Sequence, residues 1–328
     1  MKIAVRIAFL AGLGVMIALI VRDGSRQILA LLSHASWLLL WLVPLHALPL
    51  LLDVGGWRVL IQARTRVATL FRIACIREAI NRLLPVANIG GELVGIGLLA
   101  RAGVDATEAA SSVVVEMLMT LMSQYVFVVL GAICLVHLTG EVALTGDLAL
   151  LLAASLPVIL LLLVLARYGA AFGWLRRQGE RMLGFAPQAR GAAADGLDLD
   201  TRIRNLCRDH GRLVTAGFWQ VAGLICGSAE TWFALRWLGH PVGIDAAIAL
   251  ESLTQAARSF IFVVPAGLGV QEATLVGVGQ LLGIDSGTAL ALSLAKRMRE
   301  ILFGVPALIA WQWIEGRRGF RQIRSRAG

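Results

Sequence analysis

The chain has 328 residues, of which 58% are hydrophobic and 16% charged, and its mean hydropathy is +0.78. Soluble domains have roughly 45–50% apolar and about 25% charged residues, so this composition excludes an ordinary soluble enzyme. The formal net charge of +9 comes from residues between the apolar segments, which argues against a nucleic-acid partner.

Six apolar segments are long enough to cross a bilayer, and two more are interrupted by glycine and proline. We therefore predict an all-α polytopic membrane protein with about six transmembrane helices and two broken or re-entrant helical hairpins. The full spans are about 3–21, 36–57, 109–137, 147–166, 212–238 and 287–314, and the broken segments are about 78–101 and 251–282.

Arginine sets the predicted orientation of these spans. Arginines are frequent in three stretches, 58–77, the loop at about 167–211, and 317–326, which we expect to be cytoplasmic. The connections 138–150 and 239–257 contain acidic residues but no lysine or arginine, and should face the opposite side. Arg22 and Arg26 do not fit this scheme. Residues 1–328 should form one multi-pass domain of the bacterial inner membrane, with both termini in the cytoplasm.

An internal repeat with an offset of 180 residues is the most informative sequence feature. Both copies read Pro-x6-Glu-x4-Gly-x5-Gly-(Val/Ile)-Asp-x3-Ala, the first within about 78–137 and the second within about 251–314. The charge pattern puts the copies on opposite sides of the membrane. We therefore predict an inverted repeat, an architecture common among secondary transporters.

Each copy is expected to break at a proline, because proline cannot continue a helix and the following glycines tolerate a turn. The predicted helix breaks are Pro85, Gly90 and Gly91 in copy one and Pro265, Gly267 and Gly269 in copy two. Glu92 and Glu272 open the half-helices that follow. Two interpretations stay open for these acids, neutralisation of the helix N-terminus and direct contact with substrate or proton.

Charged residues inside the last span are the second clue. Lys296, Arg297 and Glu300 interrupt an otherwise apolar run, and each costs at least about 2.5–3.5 kcal/mol at mid-membrane. They must therefore face partners or a cavity, either as a structural ion-pair cluster or as a polar lining. Glu116 occupies the repeat position of Lys296, so a salt bridge between these two residues is a further hypothesis.

Amide and guanidinium side chains next to the two breaks complete the candidate site. The predicted substrate pathway comprises Asn81, Asn88, Glu92, Glu116, Arg258, Gln271, Glu272, Lys296, Arg297 and Glu300. The four cysteines form no CxxC pair and the five histidines share no ligand spacing. We therefore expect no metal, no cofactor and no catalytic residue.

Two segments of the chain resemble a known family. They are Asn81-Arg-Leu-Leu-Pro-Val-Ala-Asn-Ile-Gly-Gly-Glu92 and Pro265-Ala-Gly-Leu-Gly-Val-Gln-Glu272, together with the later Lys296-Arg297. They resemble the membrane region of lysylphosphatidylglycerol synthase and its stand-alone relatives, closest to the hopanoid-associated HpnL family, over about residues 36–314.

This resemblance implies a lipid flippase-like module rather than an enzyme, since lipid aminoacylation belongs to a separate soluble domain in that family. It implies a hopanoid as cargo and proteins of hopanoid synthesis or export as partners. Many relatives carry an arginine shortly after the Gly-Gly-acid motif, whereas this chain has Gly95. A phosphate-binding role for that position therefore does not transfer.

Two alternatives to a lipid translocase remain open at this point. One is a membrane-embedded enzyme or a non-catalytic accessory protein of lipid biosynthesis, although the membrane segments lack paired aspartate motifs for magnesium. The other is a proton-coupled transporter of a small solute. The chain contains no P-loop, so a translocase would draw energy from a gradient or a partner.

Overall fold

The computed structural model describes six stretches of the chain, residues 30–33, 35–84, 90–140, 146, 196–260 and 267–326. Throughout these stretches the regular structure is helical, without a strand. A 3-10 helix, Ser36–Trp41, precedes ten α-helices, which are α1 Leu42–Leu45, α2 Ala47–Leu60, α3 Val67–Leu83, α4 Gly90–Arg101, α5 Ala106–Thr139, α6 Gly196–Arg208, α7 His210–Trp237, α8 Ile244–Phe260, α9 Val270–Leu281 and α10 Ser286–Arg326. The predicted spans 3–21 and 147–166 lie outside the described residues.

The other four predicted spans coincide with helices. The segment from the 3-10 helix through α2 contains the second span, and α5, α7 and α10 contain the third, fifth and sixth. Within the described residues, Trp37–Leu60 and Ala106–Thr139 are long and apolar enough to cross a membrane by length and composition. The all-α prediction is confirmed for this part of the chain, whereas the count of six crossings stays a prediction.

The internal repeat recurs in the helix bounds. Helices α4 and α9 each have 12 residues, and each is followed by a four-residue connection to a long helix. The bounds of α4 and the start of α5 become those of α9 and the start of α10 when 180 is added. Each short helix also follows an interruption, because α3 ends at Leu83 and α8 at Phe260.

The repeated Gly-(Val/Ile) pair ends the short helices. Gly103 and Gly283 have φ angles of 97° and 74°, which glycine adopts without the steric cost that a Cβ brings. The next amide, of Val104 or Ile284, donates to a carbonyl five residues back, at 3.4 Å in copy one and 2.8 Å in copy two. Both apolar side chains are buried. This is a Schellman C-cap, made twice.

The repeated aspartate begins the long helices. Asp105 accepts a hydrogen bond from the Glu108 amide at 3.0 Å, and Asp285 accepts one from the Thr288 amide at the same distance. Each carboxylate satisfies an amide that the first turn of a helix leaves without a partner. The second half of the repeated motif therefore encodes a helix-turn-helix connection, and its glycine and aspartate are structural.

The two copies pack against each other reciprocally. Helix α3, which precedes the first break, packs against α10 of the second copy, and α8, which precedes the second break, packs against α5 of the first. Exchange of equivalent contacts in both directions is the pattern that a two-fold relation produces. Helices α2 and α7 also cross closely, since a Cβ at Gly223 would lie 3.1 Å from the Pro49 carbonyl oxygen.

Two apolar clusters form the core, one around each Schellman turn. Val104 belongs to the first cluster, with residues of α2, α3 and α5, and Ile284 belongs to the second, with residues of α7, α8 and α10. The second part of the predicted loop at 167–211 forms helix α6. This helix buries Leu199, Ile203 and Leu206 in the first cluster.

Candidate functional site

Buried charges collect where α3 and α8 end and where α4 and α9 begin. In copy one, the guanidinium of Arg77 on α3 forms ion pairs with Glu92 on α4 and Glu116 on α5, the latter at 2.9 Å. Asn81, one turn further along α3, donates to Glu92 at 3.2 Å and accepts from the Gly91 amide at 2.9 Å. Three helices are thus joined at the first break.

The surroundings of Arg77 are closely packed. Its guanidinium lies over the ring of Trp57, 4.6 Å from the centroid, a favourable cation–π contact. A Cβ at Gly95 would stand 2.6 Å from Arg77 Cδ, so this glycine leaves the room that the arginine occupies. Arg77 is only 8% exposed. The sequence places Arg77 among the arginines expected in the cytoplasm; its burial shows that it is not a solvated loop charge, whereas its side of the membrane stays a prediction.

In copy two, the carboxylate of Glu272 caps the N-terminus of α9 and also forms an ion pair with an arginine. One carboxylate oxygen accepts from the Gly269 amide at 2.7 Å, which satisfies the N-terminus of α9. The other accepts from the Ser293 hydroxyl at 2.8 Å and lies 3.4 Å from the Arg297 guanidinium. Arg297 also donates to the Gly267 carbonyl at 3.2 Å. Glu272 and Arg297 therefore stabilise the second break by binding its backbone amide and carbonyl groups.

Four arginines surround the carboxylate of Glu300. One lies on α3 and one on α8, the helices that precede the two breaks, and two lie on α10. Its carboxylate lies 3.3 Å from Arg258 on α8 and 3.3 Å from Arg297 on its own helix. Arg299 and Arg82 lie slightly farther away, at 3.9 and 4.0 Å. Arg258 also donates to the Gln271 side chain at the start of α9. This carboxylate connects α3, α8 and α10.

The proposed salt bridge between Glu116 and Lys296 does not form. Glu116 pairs with Arg77, while Lys296 pairs with Glu251 on α8, whose carboxylate also accepts from the Thr231 hydroxyl at 2.6 Å. The two residues are equivalent in sequence position, but each finds an opposite charge on a nearer helix. Arg297 and Glu300, three residues apart on one helix, pair at 3.3 Å.

A histidine that the sequence interpretation left aside lies within the same network. His46, between α1 and α2, is 2.9 Å from Glu78 on α3 and 2.8 Å from Glu230 on α7. Arg299 on α10 contacts the same imidazole and lies 2.9 Å from Glu230. A small cavity beside the ring is lined by His46, Glu78, Ala79, Arg82, Arg299, Glu300, Phe303 and Gly304.

Most of the predicted pathway residues lie in this network. Asn81, Glu92, Glu116, Arg258, Gln271, Glu272, Lys296, Arg297 and Glu300 all take part in it, and Gly267 and Gly269 have positive φ angles at the second break. Asn88, Pro85 and Pro265 lie outside the described residues. Gly90 and Gly91 begin α4, and a Cβ at Gly91 would lie 2.3 Å from the Arg77 carbonyl oxygen.

Seven further members were not among the predicted site residues, and they are His46, Arg77, Glu78, Arg82, Glu230, Glu251 and Arg299. A helix-face argument would have found part of this set, since Glu78 and Arg82 are four residues apart and pair at 3.8 Å. His46 gave no such signal, because its partners come from sites 32 and 184 residues away.

Stability alone does not account for so many buried charges. Removing an ion from water costs several kcal/mol, and apolar replacements for buried ion pairs are often neutral or stabilising. The Nε atoms of Arg77 and Arg299 are buried without a hydrogen-bond partner in the described part of the chain. Within the same residues, no group of three histidine, cysteine or acidic side chains is suited to hold a metal ion. The network therefore favours recognition of a polar group.

Comparison with known proteins places this architecture in a family. The model of the family Lysylphosphatidylglycerol synthase TM region matches residues 3–307. The match includes both breaks, both short helices and every charged residue of the network. No curated protein and no solved structure matches the chain. Because the match covers most of the sequence, the chain belongs to the lysylphosphatidylglycerol synthase TM region family, a family of flippase-like membrane domains.

Proposed function

We propose that the protein moves a hopanoid across or out of the bacterial inner membrane without changing it chemically. The observation that carries this proposal is the buried charged network that joins both helix breaks. A polar headgroup entering this network would find hydrogen-bond partners from α3, α8 and α10, while its hydrocarbon part stays in the lipid. Charged side chains at membrane depth mark such pathways.

An inverted arrangement of the two copies would support a transport mechanism. The turn between α4 and α5 lies against α6, where Arg202 is 3.3 Å from Asp105. Near its other end, α5 meets the start of α8, since a Cβ at Gly131 would be 3.3 Å from the Ile248 carbonyl oxygen. The turn between α9 and α10 packs there, with Val242. We infer that the copies face opposite ways, as in transporters that rock about a central site.

The charge balance of the network disfavours an anionic cargo. Each basic side chain, Arg77, Arg82, Arg258, Lys296, Arg297 and Arg299, lies within 4.0 Å of at least one glutamate carboxylate. A phosphate would have to displace these carboxylates. Hydroxyl and amine groups of a hopanoid can instead donate to them, and the space that Gly95 leaves is filled by Arg77, whose charge Glu92 and Glu116 already neutralise.

A reconstituted system tests the translocation. The protein would be placed in phosphatidylcholine vesicles containing an amino-bearing hopanoid, and a membrane-impermeant amine reagent would report the fraction exposed outside. We expect the reagent to reach nearly all of the hopanoid with protein present and about half without it. Arg297→Gln should slow this exposure at least tenfold, because Gly267 and Glu272 lose their guanidinium.

Arg236→Gln is the matched control, since this exposed arginine on α7 lies outside the network. Gel filtration would establish that both variants are folded. The proposal would be contradicted if Arg236→Gln slowed the exposure of the hopanoid as much as Arg297→Gln. It would also be contradicted if vesicles with the wild-type protein exposed no more hopanoid than vesicles without protein.

A cellular experiment separates transport from biosynthesis. Deletion of the gene, followed by mass spectrometry of hopanoids in separated inner and outer membranes, should leave the total unchanged and lower the outer-membrane share. A lower total, or an altered hopanoid structure, would instead support an enzyme or an accessory protein of synthesis. Redistribution of other lipids with hopanoids unchanged would exclude this cargo.

A further inference from the structure

His46 lies where α1, α3, α7 and α10 meet, and it is not needed to hold either break. We propose that His46 is a proton-binding site that couples proton movement to lipid movement. This inference rests on the proposed function for its cargo, but proton binding at the ring is measurable without transport.

No single protonation state of the His46 imidazole can form hydrogen bonds with all the groups next to its two ring nitrogens. Nε2 lies 2.9 Å from both carboxylate oxygens of Glu78. Nδ1 lies 2.8 Å from an oxygen of Glu230, an acceptor, and also contacts Nη1 of Arg299, a donor. A neutral imidazole has one donor and one acceptor nitrogen, whereas an imidazolium has two donors. The site therefore offers matched partners for both forms.

In the neutral form, Nε2–H donates to Glu78 and Nδ1 accepts from Arg299. A hydronium ion then transfers a proton to the lone pair of Nδ1. The new N–H bond forms as an O–H bond of the hydronium breaks, water is released, and the new N–H donates to Glu230. Arg299 must leave Nδ1, because a guanidinium has only donors and carries the same charge as the imidazolium.

The electrostatic surroundings contain both signs of charge. The groups that face the ring or its direct partners are Glu78 and Arg82 on α3, Glu230 on α7, Glu251 on α8, Arg299 and Glu300 on α10, and Asp53 on α2. The carboxylates favour the imidazolium and the guanidinium groups oppose it. The edge of the Phe303 ring, 5.0 Å from the imidazole centroid, closes one side.

Displacement of Arg299 reaches the second break through Glu300. Arg299 Nη2 is 3.9 Å from Glu300, so withdrawal from His46 brings the guanidinium closer to that carboxylate. Glu300 holds Arg258 and Arg297, which bind the Gln271 side chain and the Gly267 carbonyl. Competition for one carboxylate thus links the protonation of His46 to the loop before α9.

Proton binding is tested first by NMR on the full-length protein in lipid nanodiscs with ¹⁵N-labelled histidine. The His46 ring signals are assigned by their loss in His46→Gln. As the pH falls from about 11 to 5, we expect these signals to change reversibly from a neutral tautomer to an imidazolium. One unchanging protonation state over this range would overturn the proposal.

Coupling is tested in the hopanoid vesicles with a pH difference of one unit across the membrane. One proton per lipid predicts about tenfold accumulation of the hopanoid in one leaflet over the other. His46→Gln should abolish this asymmetry. His137→Gln, an exposed histidine near the end of α5, should retain it.

The outcomes separate the two proposals. Hopanoid movement without asymmetry in the wild type would overturn the coupling and leave the translocase standing. No movement in the wild type would overturn the translocase and the coupling together. If His46→Gln does not fold, Glu230→Gln replaces it, since it removes the negative charge that favours the imidazolium Nδ1–H and should also abolish the asymmetry. Retention of the asymmetry in a folded variant at either position would contradict the proposal.

Discussion

At the scale of single residues, Arg77 shows how a buried charge is kept. Two glutamates from different helices neutralise its guanidinium, the ring of Trp57 covers one face, and the absence of a side chain at Gly95 leaves space for its stem. A cation at this depth without such partners would cost several kcal/mol. The position of Gly95 in the family motif therefore has a packing reason in this chain.

Substitution of Gly95 tests that packing. Gly95→Ala places a Cβ within 2.6 Å of Arg77 Cδ and should destabilise the protein by about 1–3 kcal/mol, the usual cost of overpacking. Gly97→Ala, two residues along the same helix, meets nothing within 4 Å and should stabilise by up to about 1 kcal/mol through helix propensity. Thermal unfolding in detergent compares them. Equal effects of the two alanines would exclude this role of Gly95.

The ion pair itself is tested by a double-mutant cycle. Arg77→Gln leaves Glu92 and Glu116 buried without a cation and should cost about 3–5 kcal/mol. Glu116→Gln should cost less, because Glu92 still neutralises the arginine. The double variant should be more stable than the sum of the single effects predicts. Arg58→Gln, on the exposed end of α2, provides the control. Additive effects would show that the two side chains do not interact energetically.

At this scale, the sequence predicts which charged residues lie in apolar segments, but not which residues they pair with. The sequence identified Glu92, Glu272, Lys296 and Glu300 because a charge in an apolar run is visible locally. It did not identify their partners, since Lys296 pairs with Glu251 and not with its repeat equivalent Glu116. His46 was missed for the same reason. Side-chain partners depend on which helices become neighbours, and that is a property of the tertiary fold.

At the scale of helices, both copies of the repeat contain the same connection between a short helix and a long helix. A short helix ends in a Schellman motif on a glycine, and an aspartate two residues later begins a long helix. These signals are local, which explains why the helix bounds near the breaks followed the sequence closely. The helix α6 was not predicted, because its apolar residues are few and its stability comes from packing against the first cluster.

The two helix-capping aspartates should be equivalent in strength. Asp105→Ala and Asp285→Ala should each lower the free energy of unfolding by about 1 kcal/mol, the usual effect of losing an N-cap. Asp105→Asn and Asp285→Asn should lose little, because asparagine caps nearly as well. Denaturation of all four variants provides the measurement. A large loss on the asparagine substitutions would indicate that the negative charge, and not the cap, is required.

At the scale of the whole molecule, two of the three arginine-rich stretches lie close together. The Gln62 and Ala63 amides donate to Glu108 at the start of α5, and Arg202 of α6 pairs with the neighbouring Asp105. The arginine-free connection before α8 packs against the cluster that contains the turn of the second copy. Two stretches separated by more than 100 residues thus lie at one end of the described structure, and the positive-inside rule predicts that this end is cytoplasmic.

Cysteine labelling tests this orientation. In a protein whose native cysteines are replaced, Pro241→Cys should react with a membrane-impermeant maleimide added to intact spheroplasts. Arg66→Cys should react only after the membrane is permeabilised. Both positions are exposed, so accessibility depends on the side of the membrane. The reverse pattern would invert the topology, and labelling of both without permeabilisation would contradict a single orientation.

The reciprocal packing of the two copies has a consequence for how the chain is assembled. Helix α5 needs α8, and α3 needs α10, so each half lacks the surfaces that would cover its own helices. A polypeptide cut between residues 167 and 195 should therefore yield two fragments that are degraded when made separately and that recombine when made together. Synthesis of the first half must wait for the second before either break acquires its full set of charges.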